Sequence, residues 1–261
     1  MHPVLLQIGS FELASYGFMT ALGYLVAAAY LLPHLKKVHL DKETFWDLIF
    51  TAFMGALVGS KLLYLILSWD HLGADFSSKI VNAVKNVRYG FVFYGGAITA
   101  VASLIIYMRR KKIPVLSTGD FLITALPLGH ALGRVGCFLA GCCYGAPTTM
   151  PWGVRFTHPS SLVPPEWIGI PLHPTQLYEA AGNLLIFALL HILYKRPHKN
   201  GAVLAAYAAL YAVMRFVIEF FRGDFRGDFL WGMSPSQWIA LFAAATGTVL
   251  FCFLRKDKNH A

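Results

Sequence analysis

The chain has 261 residues, of which 57% are hydrophobic and only 13% are charged, and its formal net charge is +9. Soluble domains carry about 25% charged residues, so the composition excludes that class and indicates an integral membrane protein. Nucleic acid is not needed to explain the basic excess, because lysines and arginines collect in the cytoplasmic loops of membrane proteins. We predict no metal and no cofactor from this sequence.

Seven apolar segments are each long enough to cross a bilayer core of about 30 Å, which takes about 20 helical residues. They run over about 13–32, 46–68, 91–108, 120–141, 176–194, 202–221 and 237–254. The sequence therefore predicts an all-α polytopic membrane protein with seven transmembrane helices. It shows no internal repeat, so we expect residues 1–261 to form a single integral membrane domain.

The basic residues predict the orientation of these helices. The first, third and fifth loops and the C-terminal tail hold thirteen lysines and arginines, whereas the N-terminus and the other loops hold six. By the positive-inside rule the N-terminus lies outside and the C-terminus lies in the cytoplasm. The first ten residues lack the basic start of a signal peptide, so we expect the first segment to be retained as a span.

Arg134 and Arg215 each lie inside an apolar segment. A guanidinium keeps its proton, so its burial near hydrocarbon requires an anionic partner or a hydrated pocket. With the predicted orientation, both arginines and Lys61 fall in the outer half of the membrane. Further polar residues fall in the same outer half, namely Tyr16, Tyr94, Tyr178, Glu179 and, at the outer end of the sixth segment, Glu219. These residues predict a cationic, partly hydrated cavity that suits a lipid phosphate.

Helical spacing places polar residues of single segments on one face. In the sixth segment they recur at i, i+4, i+8 and i+11, which gives Tyr211, Arg215, Glu219 and Arg222. A similar stripe in the fourth segment contains His130, Arg134, Cys137 and Gly141. We expect the two stripes to contribute to a shared site.

Six stretches in this order resemble the phosphatidylglycerol–prolipoprotein diacylglyceryl transferase family of bacteria. They are residues 14–17, 59–62, 91–96, 133–145, 173–179 and 211–222. The resemblance covers nearly the whole chain and implies a multi-pass enzyme of the bacterial cytoplasmic (inner) membrane. Its implied partners are phosphatidylglycerol, the lipobox peptide of a prolipoprotein and the surrounding membrane lipids.

The resemblance also implies a reaction and its residues. The diacylglyceryl group of phosphatidylglycerol passes to the lipobox cysteine thiol, a thioether forms and glycerol 1-phosphate leaves. Arg134 and Arg215 are expected to hold the phosphodiester, and Tyr94 occupies the catalytic position where the family typically has histidine. The expected headgroup-binding and supporting residues are Tyr16, Lys61, Gly95, Gly96, His130, Gly145, Tyr178, Glu179, Tyr211 and Glu219.

The proton acceptor stays open at this point. Tyr94, His130, His173 and Glu179 are candidates, and a cationic pocket also favours ionisation of the substrate thiol itself. A free tyrosine has a pKa of about 10, which makes it a poor acceptor at neutral pH.

Cysteines mark the clearest departure from the family pattern. Cys137 and Cys142 stand where the family typically has asparagine and glutamate, and Ala140 replaces a second asparagine. The three thiols of Cys137, Cys142 and Cys143 allow a membrane thiol-disulfide oxidoreductase or a soft-metal site. The expected role of these cysteines is packing as small hydrophobic residues. A lipid or anion transporter is a further alternative, because it would use the same cationic cavity.

The longest external loop, about 142–175, contains seven prolines and two tryptophans. Proline interrupts helices and tryptophan favours the membrane interface. We therefore expect an ordered loop that caps the cavity where the peptide enters.

Overall fold

The computed structural model describes residues 2–9, 11–85, 90–224 and 230–255, and it is mostly helical. The helices are α1 (Ser15–Leu31), α2 (Lys42–Leu67), α3 (Phe76–Lys85), α4 (Phe93–Arg110), α5 (Val115–Ala140), α6 (Thr175–Lys195), α7 (Ala202–Glu219) and α8 (Pro235–Arg255). Short 3-10 helices cover Leu32–Val38, Trp69–His71 and Pro165–Trp167. Two antiparallel strand pairs complete the fold, β1 (Val4–Ile8) with β2 (Phe11–Ala14), and β3 (Val154–Arg155) with β4 (Pro171–Leu172).

Within the described ranges, six helices are long and apolar enough to cross a membrane, which confirms the polytopic all-α prediction. The helices outside this set are the short α3 and α4, and α4 coincides with the third expected span. Its 18 residues include Arg109 and Arg110, and these lower its hydropathy. The seventh span and the orientation stay predictions, and four of the basic residues counted for orientation lie outside the described ranges: Arg88, Arg226, Lys256 and Lys258.

The chain forms two compact units, one of Met1–His34 with Gly119–Ala261 and one of Leu35–Thr118. The first unit contains α1, α6, α7, α8 and α5 from Gly119 onward, and the second contains α2, α3, α4 and the first turn of α5. A single membrane domain over residues 1–261 stays a prediction.

In the second unit, α2 and α4 pack closely along a stripe of small residues. A Cβ added to Gly59 would lie 2.5 Å from the carbonyl oxygen of Gly95, and one added to Gly96 would lie 2.8 Å from that of Ala56. The Thr99 hydroxyl donates to the carbonyl oxygen of Gly55 at 2.6 Å. The two backbones approach this closely because glycine has no side chain, as in other small-residue membrane interfaces.

Gly59→Val is expected to lower the free energy of unfolding by at least about 1–3 kcal/mol, because the new side chain overpacks this contact. Equilibrium unfolding of the purified chain in detergent measures the change. Gly17→Val is the matched control, since Gly17 is exposed on α1 and an added Cβ there meets nothing within 4 Å. Equal effects at the two positions would contradict the close packing of α2 and α4.

The helix α3 was not expected from the sequence, because its ten residues are too short and too polar to form a span. Phe76, Ile80 and Val84 recur at four-residue intervals and are all exposed. Lys79 pairs with Asp70 at 3.7 Å. An apolar stripe beside basic residues is typical of helices that lie in the membrane interface.

In the first unit, α1 and α5 approach through glycines, since a Cβ added to Gly23 would lie 2.6 Å from the carbonyl oxygen of Gly129. A buried carboxylate on α5 fixes the start of α7. The two side-chain oxygens of Asp120 accept hydrogen bonds from the backbone N–H groups of Gly201, at 2.6 Å, and Leu204, at 2.8 Å. This contact satisfies donors that a helix N-terminus leaves free.

The loop between α5 and α6 has a small apolar core of its own, formed by Tyr144, Phe156, Val163 and Leu172. Its two strands pair with Val154 opposite Leu172. The loop lies in the first unit and leads directly into α6. Its role as a cap stays a prediction.

Candidate active site

Glu179 lies at the centre of a buried ion-pair cluster between α5, α6 and the end of α7. Its side chain is 0% exposed, and its carboxylate contacts three arginines. Arg134 Nε lies 2.6 Å from Oε2, Arg222 Nη1 lies 2.9 Å from Oε1, and Arg215 Nη1 lies 3.8 Å from Oε1. The anionic partner that a buried Arg134 requires is therefore supplied by α6.

Arg215 lies between two carboxylates. Nη2 forms an ion pair with Glu219 one turn further along α7, and Nη1 forms the longer pair with Glu179. Glu219 also accepts a hydrogen bond from Ser234 Oγ at 2.8 Å. Within the described part of the chain, each of these two buried nitrogens carries two N–H groups but contacts a single carboxylate. Arg215 therefore keeps unused hydrogen-bonding capacity inside the protein.

Arg222 lies just beyond α7, and each of its side-chain nitrogens donates a hydrogen bond. Its Nε and Nη2 donate to the two oxygens of Asp224, both at 2.8 Å, and its Nη1 donates to Glu179 at 2.9 Å. Burial alone would lower the pKa of Arg222, but the hydrogen bond and charge of Asp224 and the charge of Glu179 raise it above its usual value. Such a bidentate fork fixes the guanidinium in one orientation.

Three further expected site residues surround Arg134. His130 Nε2 accepts a hydrogen bond from Arg134 Nε at 3.2 Å, and the same nitrogen forms the ion pair with Glu179. The ring of Tyr211 packs against His130 with centroids 5.6 Å apart. Tyr16 is half exposed on α1 and lies beside α5, where a Cβ added to Gly136 would come 3.2 Å from Tyr16 Cα.

Among the described residues the charges of the cluster balance, which differs from the cationic cavity that the sequence predicted. Three arginines face three carboxylates, those of Glu179, Glu219 and Asp224. The prediction counted the cations by depth and did not pair them, because ion pairs between separate helices do not follow from spacing along one helix. What the cluster offers a ligand is unused N–H donors rather than excess charge.

Two expected site residues lie at the base of the α5–α6 loop. Tyr178 accepts a hydrogen bond from Trp152 Nε1 at 2.7 Å, and its hydroxyl lies 3.2 Å from His173 Nδ1. Gly145 donates its N–H to the carbonyl oxygen of His173 at 3.0 Å, and a Cβ there would lie 2.6 Å from the carbonyl oxygen of Phe221. Both residues contact the loop and the end of α7, so a part in headgroup binding stays a prediction.

Four expected site residues belong to the second unit. Lys61 Nζ lies over the rings of Tyr64 and Phe91, at 5.0 and 5.5 Å from their centroids. Tyr94 is 48% exposed at the start of α4. Gly95 and Gly96 are buried where α4 packs against α2, so this packing itself accounts for glycine at both positions. Their roles toward the lipid headgroup stay predictions.

Sequence reasoning missed Asp224 and Ser234, and it placed Arg222 on a stripe of the expected shared site without giving it a role. Arg222 was the last member of the polar stripe of the sixth segment, but its place beyond the apolar run put it among the loop residues. Asp224 and Ser234 lie outside any helical stripe, so the sequence carried no signal that links them to the arginines.

The three cysteines of the 133–145 stretch lie together at the end of α5. All are free thiols, Cys137 is buried, and Cys142 and Cys143 are partly buried. Cys143 follows the membrane segment, and its pKa is lowered by hydrogen bonds from the thiols of Cys137 and Cys142 and by the charges of Arg134 and Arg222. The thiols therefore belong to the same electrostatic environment as the arginine cluster.

Comparison with known proteins shows the family of this chain. The family model described as prolipoprotein diacylglyceryl transferase matches residues 3–253. A phosphatidylglycerol–prolipoprotein diacylglyceryl transferase of Clostridium tetani is 36% identical over 99% of this chain and 100% of its own length. One from Bordetella bronchiseptica is 30% identical over 98% of this chain and 97% of its own, and one from Finegoldia magna is 30% identical over 79% and 78%. The chain therefore belongs to the prolipoprotein diacylglyceryl transferase family.

Proposed function

We propose that this chain transfers the diacylglyceryl group of phosphatidylglycerol to the lipobox cysteine of a prolipoprotein. The thiol sulfur forms a bond to the glycerol carbon, and the bond from that carbon to the phosphate oxygen breaks. Glycerol 1-phosphate leaves with the electron pair, and the thiol proton passes to a base or to solvent. Such a displacement requires a thiolate and a stabilised phosphate leaving group.

The unused donors of Arg215 are the observation that carries this proposal. A buried N–H group without an acceptor costs about 1–3 kcal/mol, so folded proteins rarely retain one without a reason. A phosphodiester oxygen is a suitable acceptor, because a guanidinium fork matches two phosphate oxygens. We assign phosphate binding and charge stabilisation to Arg215 and Arg134.

Glu179 and Arg222 act as positioning residues in this proposal. Glu179 contacts all three arginines, and Arg222 is itself fixed by Asp224. Donors held in place before the substrate arrives need no reorganisation during the reaction, which makes them more effective catalytically. Because its carboxylate already contacts three arginines, we assign Glu179 to positioning and leave proton transfer to the other base candidates.

The topology is part of the proposal. Seven spans include α4, the N-terminus lies outside, the C-terminus lies in the cytoplasm, and the chain resides in the bacterial inner membrane. Phosphatidylglycerol then reaches the site from the surrounding lipid, and the prolipoprotein reaches it through its own membrane-tethered lipobox segment. The excess of basic residues in the predicted cytoplasmic loops supports this arrangement.

Complementation tests the proposed function in cells. In a bacterial strain depleted of its own transferase, the wild-type chain is expected to restore growth and the diacylglyceryl modification of a reporter prolipoprotein. Arg134→Ala, produced at the same level in the membrane, is expected to restore neither. Unmodified reporter in cells that contain the wild-type chain would overturn the proposal.

The α5–α6 loop is proposed to contact the incoming peptide. Leu162 is 65% exposed in this loop, and Ser160 is exposed two residues away. Leu162→Asp is expected to raise KM for a lipobox peptide about tenfold, which corresponds to about 1.4 kcal/mol of lost binding. Ser160→Asp adds the same charge and serves as the control. Equal KM values for wild type and both variants would exclude this contact.

A further inference from the structure

Three cysteine side chains at the end of α5 form a cluster that the arginine site does not use. The sulfur atoms of Cys137, Cys142 and Cys143 all lie within 4.8 Å of one another. At a zinc–sulfur distance of about 2.3 Å, two sulfurs of a tetrahedral site lie about 3.8 Å apart. Each pair therefore needs to close by no more than about 1 Å to share one ion.

The backbone holds these thiols together. Gly141 donates its N–H to the carbonyl oxygen of Phe138 at 3.3 Å, and Cys142 donates to that of Cys137 at 3.1 Å. This is the Schellman pattern with a left-handed glycine, and Gly141 has a φ of 76°. Cys143 is also left-handed, with a φ of 60°. The turn folds the chain back, so that the two later thiols meet Cys137 of the last helical turn.

The start of α6 fixes the same turn from its other side. Gln176 Nε2 donates to the carbonyl oxygen of Cys142 at 2.7 Å, and Thr175 Oγ1 donates to that of Cys143 at 2.9 Å. Side chains of another helix thus bind both carbonyl groups. The backbone of the turn is therefore held in place without any bond between the sulfur atoms. A site held this way is organised before a ligand binds.

Two arginines lie close to the cluster. Arg134 interacts electrostatically with Cys137 and Cys143, and Arg222 interacts with Cys143. Three thiolates and one Zn²⁺ carry a net charge of −1, so the ion itself neutralises most of the charge of its ligands. A disulfide fits less well, because adjacent cysteines pair only with strain and any pair leaves one of three thiols over.

We propose that Cys137, Cys142 and Cys143 bind one thiophilic metal ion of the Zn²⁺ type, with its fourth position open to the lipobox thiol. Zinc coordinates thiolate sulfur, and sites with three protein ligands keep a fourth position for water or substrate. A thiol bound to the ion loses its proton to solvent outright. The role of the open position rests on the proposed transferase function. The bound ion would supply the substrate thiolate in a chain that has Tyr94 where the family typically has histidine.

Metal binding is tested without reference to activity. The purified full-length chain, reduced in detergent, is titrated with Co²⁺ and then with Zn²⁺. We expect one Co²⁺ per chain, a near-ultraviolet sulfur-to-cobalt band and displacement by Zn²⁺. Cys142→Ser keeps the backbone turn and is expected to weaken binding at least about tenfold, since loss of an outer partner alone costs 10–100-fold. Cys252→Ser is the control, because Cys252 is exposed on α8.

Equal metal affinity in the wild type and in Cys142→Ser and Cys143→Ser would overturn the site. The open position is tested on the Co²⁺-loaded chain by adding a lipobox peptide. We expect the visible cobalt spectrum to change with the peptide and to stay constant with its Cys→Ser analogue. An unchanged spectrum on binding of the cysteine peptide would overturn the role of the ion. A chain that transfers diacylglyceryl groups at full rate after removal of metal would do the same and leave the proposed function standing.

Discussion

Glu179→Gln is expected to lower the free energy of unfolding by about 3–5 kcal/mol, the cost of removing one partner from a buried ion pair. The side chain is fully buried and contacts Arg134, Arg215 and Arg222. Without its charge, the described residues of the cluster keep three cations and two carboxylates. We expect transferase activity to fall as well, because the arginines lose their common anchor. Equilibrium unfolding in detergent and turnover of a lipobox peptide measure the two effects.

Glu166→Gln is the matched control, since Glu166 is exposed in the α5–α6 loop. Substitutions at such positions usually change stability by no more than about 0.5 kcal/mol. A double variant with Arg222→Gln sharpens the test. Restored charge balance should make the double loss smaller than the sum of the single losses, as expected of coupled neighbours. Additive losses, or a Glu179→Gln protein as stable as the wild type, would contradict the central position of this carboxylate.

Arg215→Ala is expected to reduce kcat by about 10²–10³, the effect of removing a donor that stabilises charge in a transition state. Arg134→Ala should show a loss of similar size. Arg215→Lys should also be impaired, because an ammonium keeps the charge but does not match two phosphate oxygens. Release of glycerol 1-phosphate from phosphatidylglycerol in the presence of a lipobox peptide measures the rate.

Structural damage is separated from lost chemistry by measuring unfolding on the same samples. Arg109→Ala serves as the control, since Arg109 is exposed at the end of α4. We expect it to match the wild type in both rate and stability. Full activity in Arg134→Ala or Arg215→Ala would contradict the phosphate role, whatever the stability of those proteins.

The sequence predicted the long helices well because crossing a membrane imposes a length and a composition on each of them. The segment predicted over 176–194 is α6 at Thr175–Lys195, and the one over 202–221 is α7 at Ala202–Glu219. Both are apolar runs that end near charged residues, so their limits can be read directly. The amphipathic α3 and the N-terminal strand pair carry no such constraint and were missed.

The candidate site was only partly predictable, for a different physical reason. The pairing of Arg215 with Glu219 follows from helical spacing, since residues four apart meet on one face. The pairing of Arg134 with Glu179 joins two helices that are separated by a long loop. The spacing of residues along one helix does not predict which residues of a second helix will contact them. For the same reason the pairing of Arg222 with Glu179 and Asp224 became visible only in the folded chain.

The mass of a lipobox peptide tests the central claim most directly. The purified chain is incubated in detergent with phosphatidylglycerol and the peptide, and the products are analysed by mass spectrometry. We predict a peptide heavier by one diacylglyceryl group, joined through a thioether, with one glycerol 1-phosphate released for each peptide modified. The Arg215→Ala chain should give almost none of this product. An unmodified peptide after incubation with an intact wild-type chain would contradict the account.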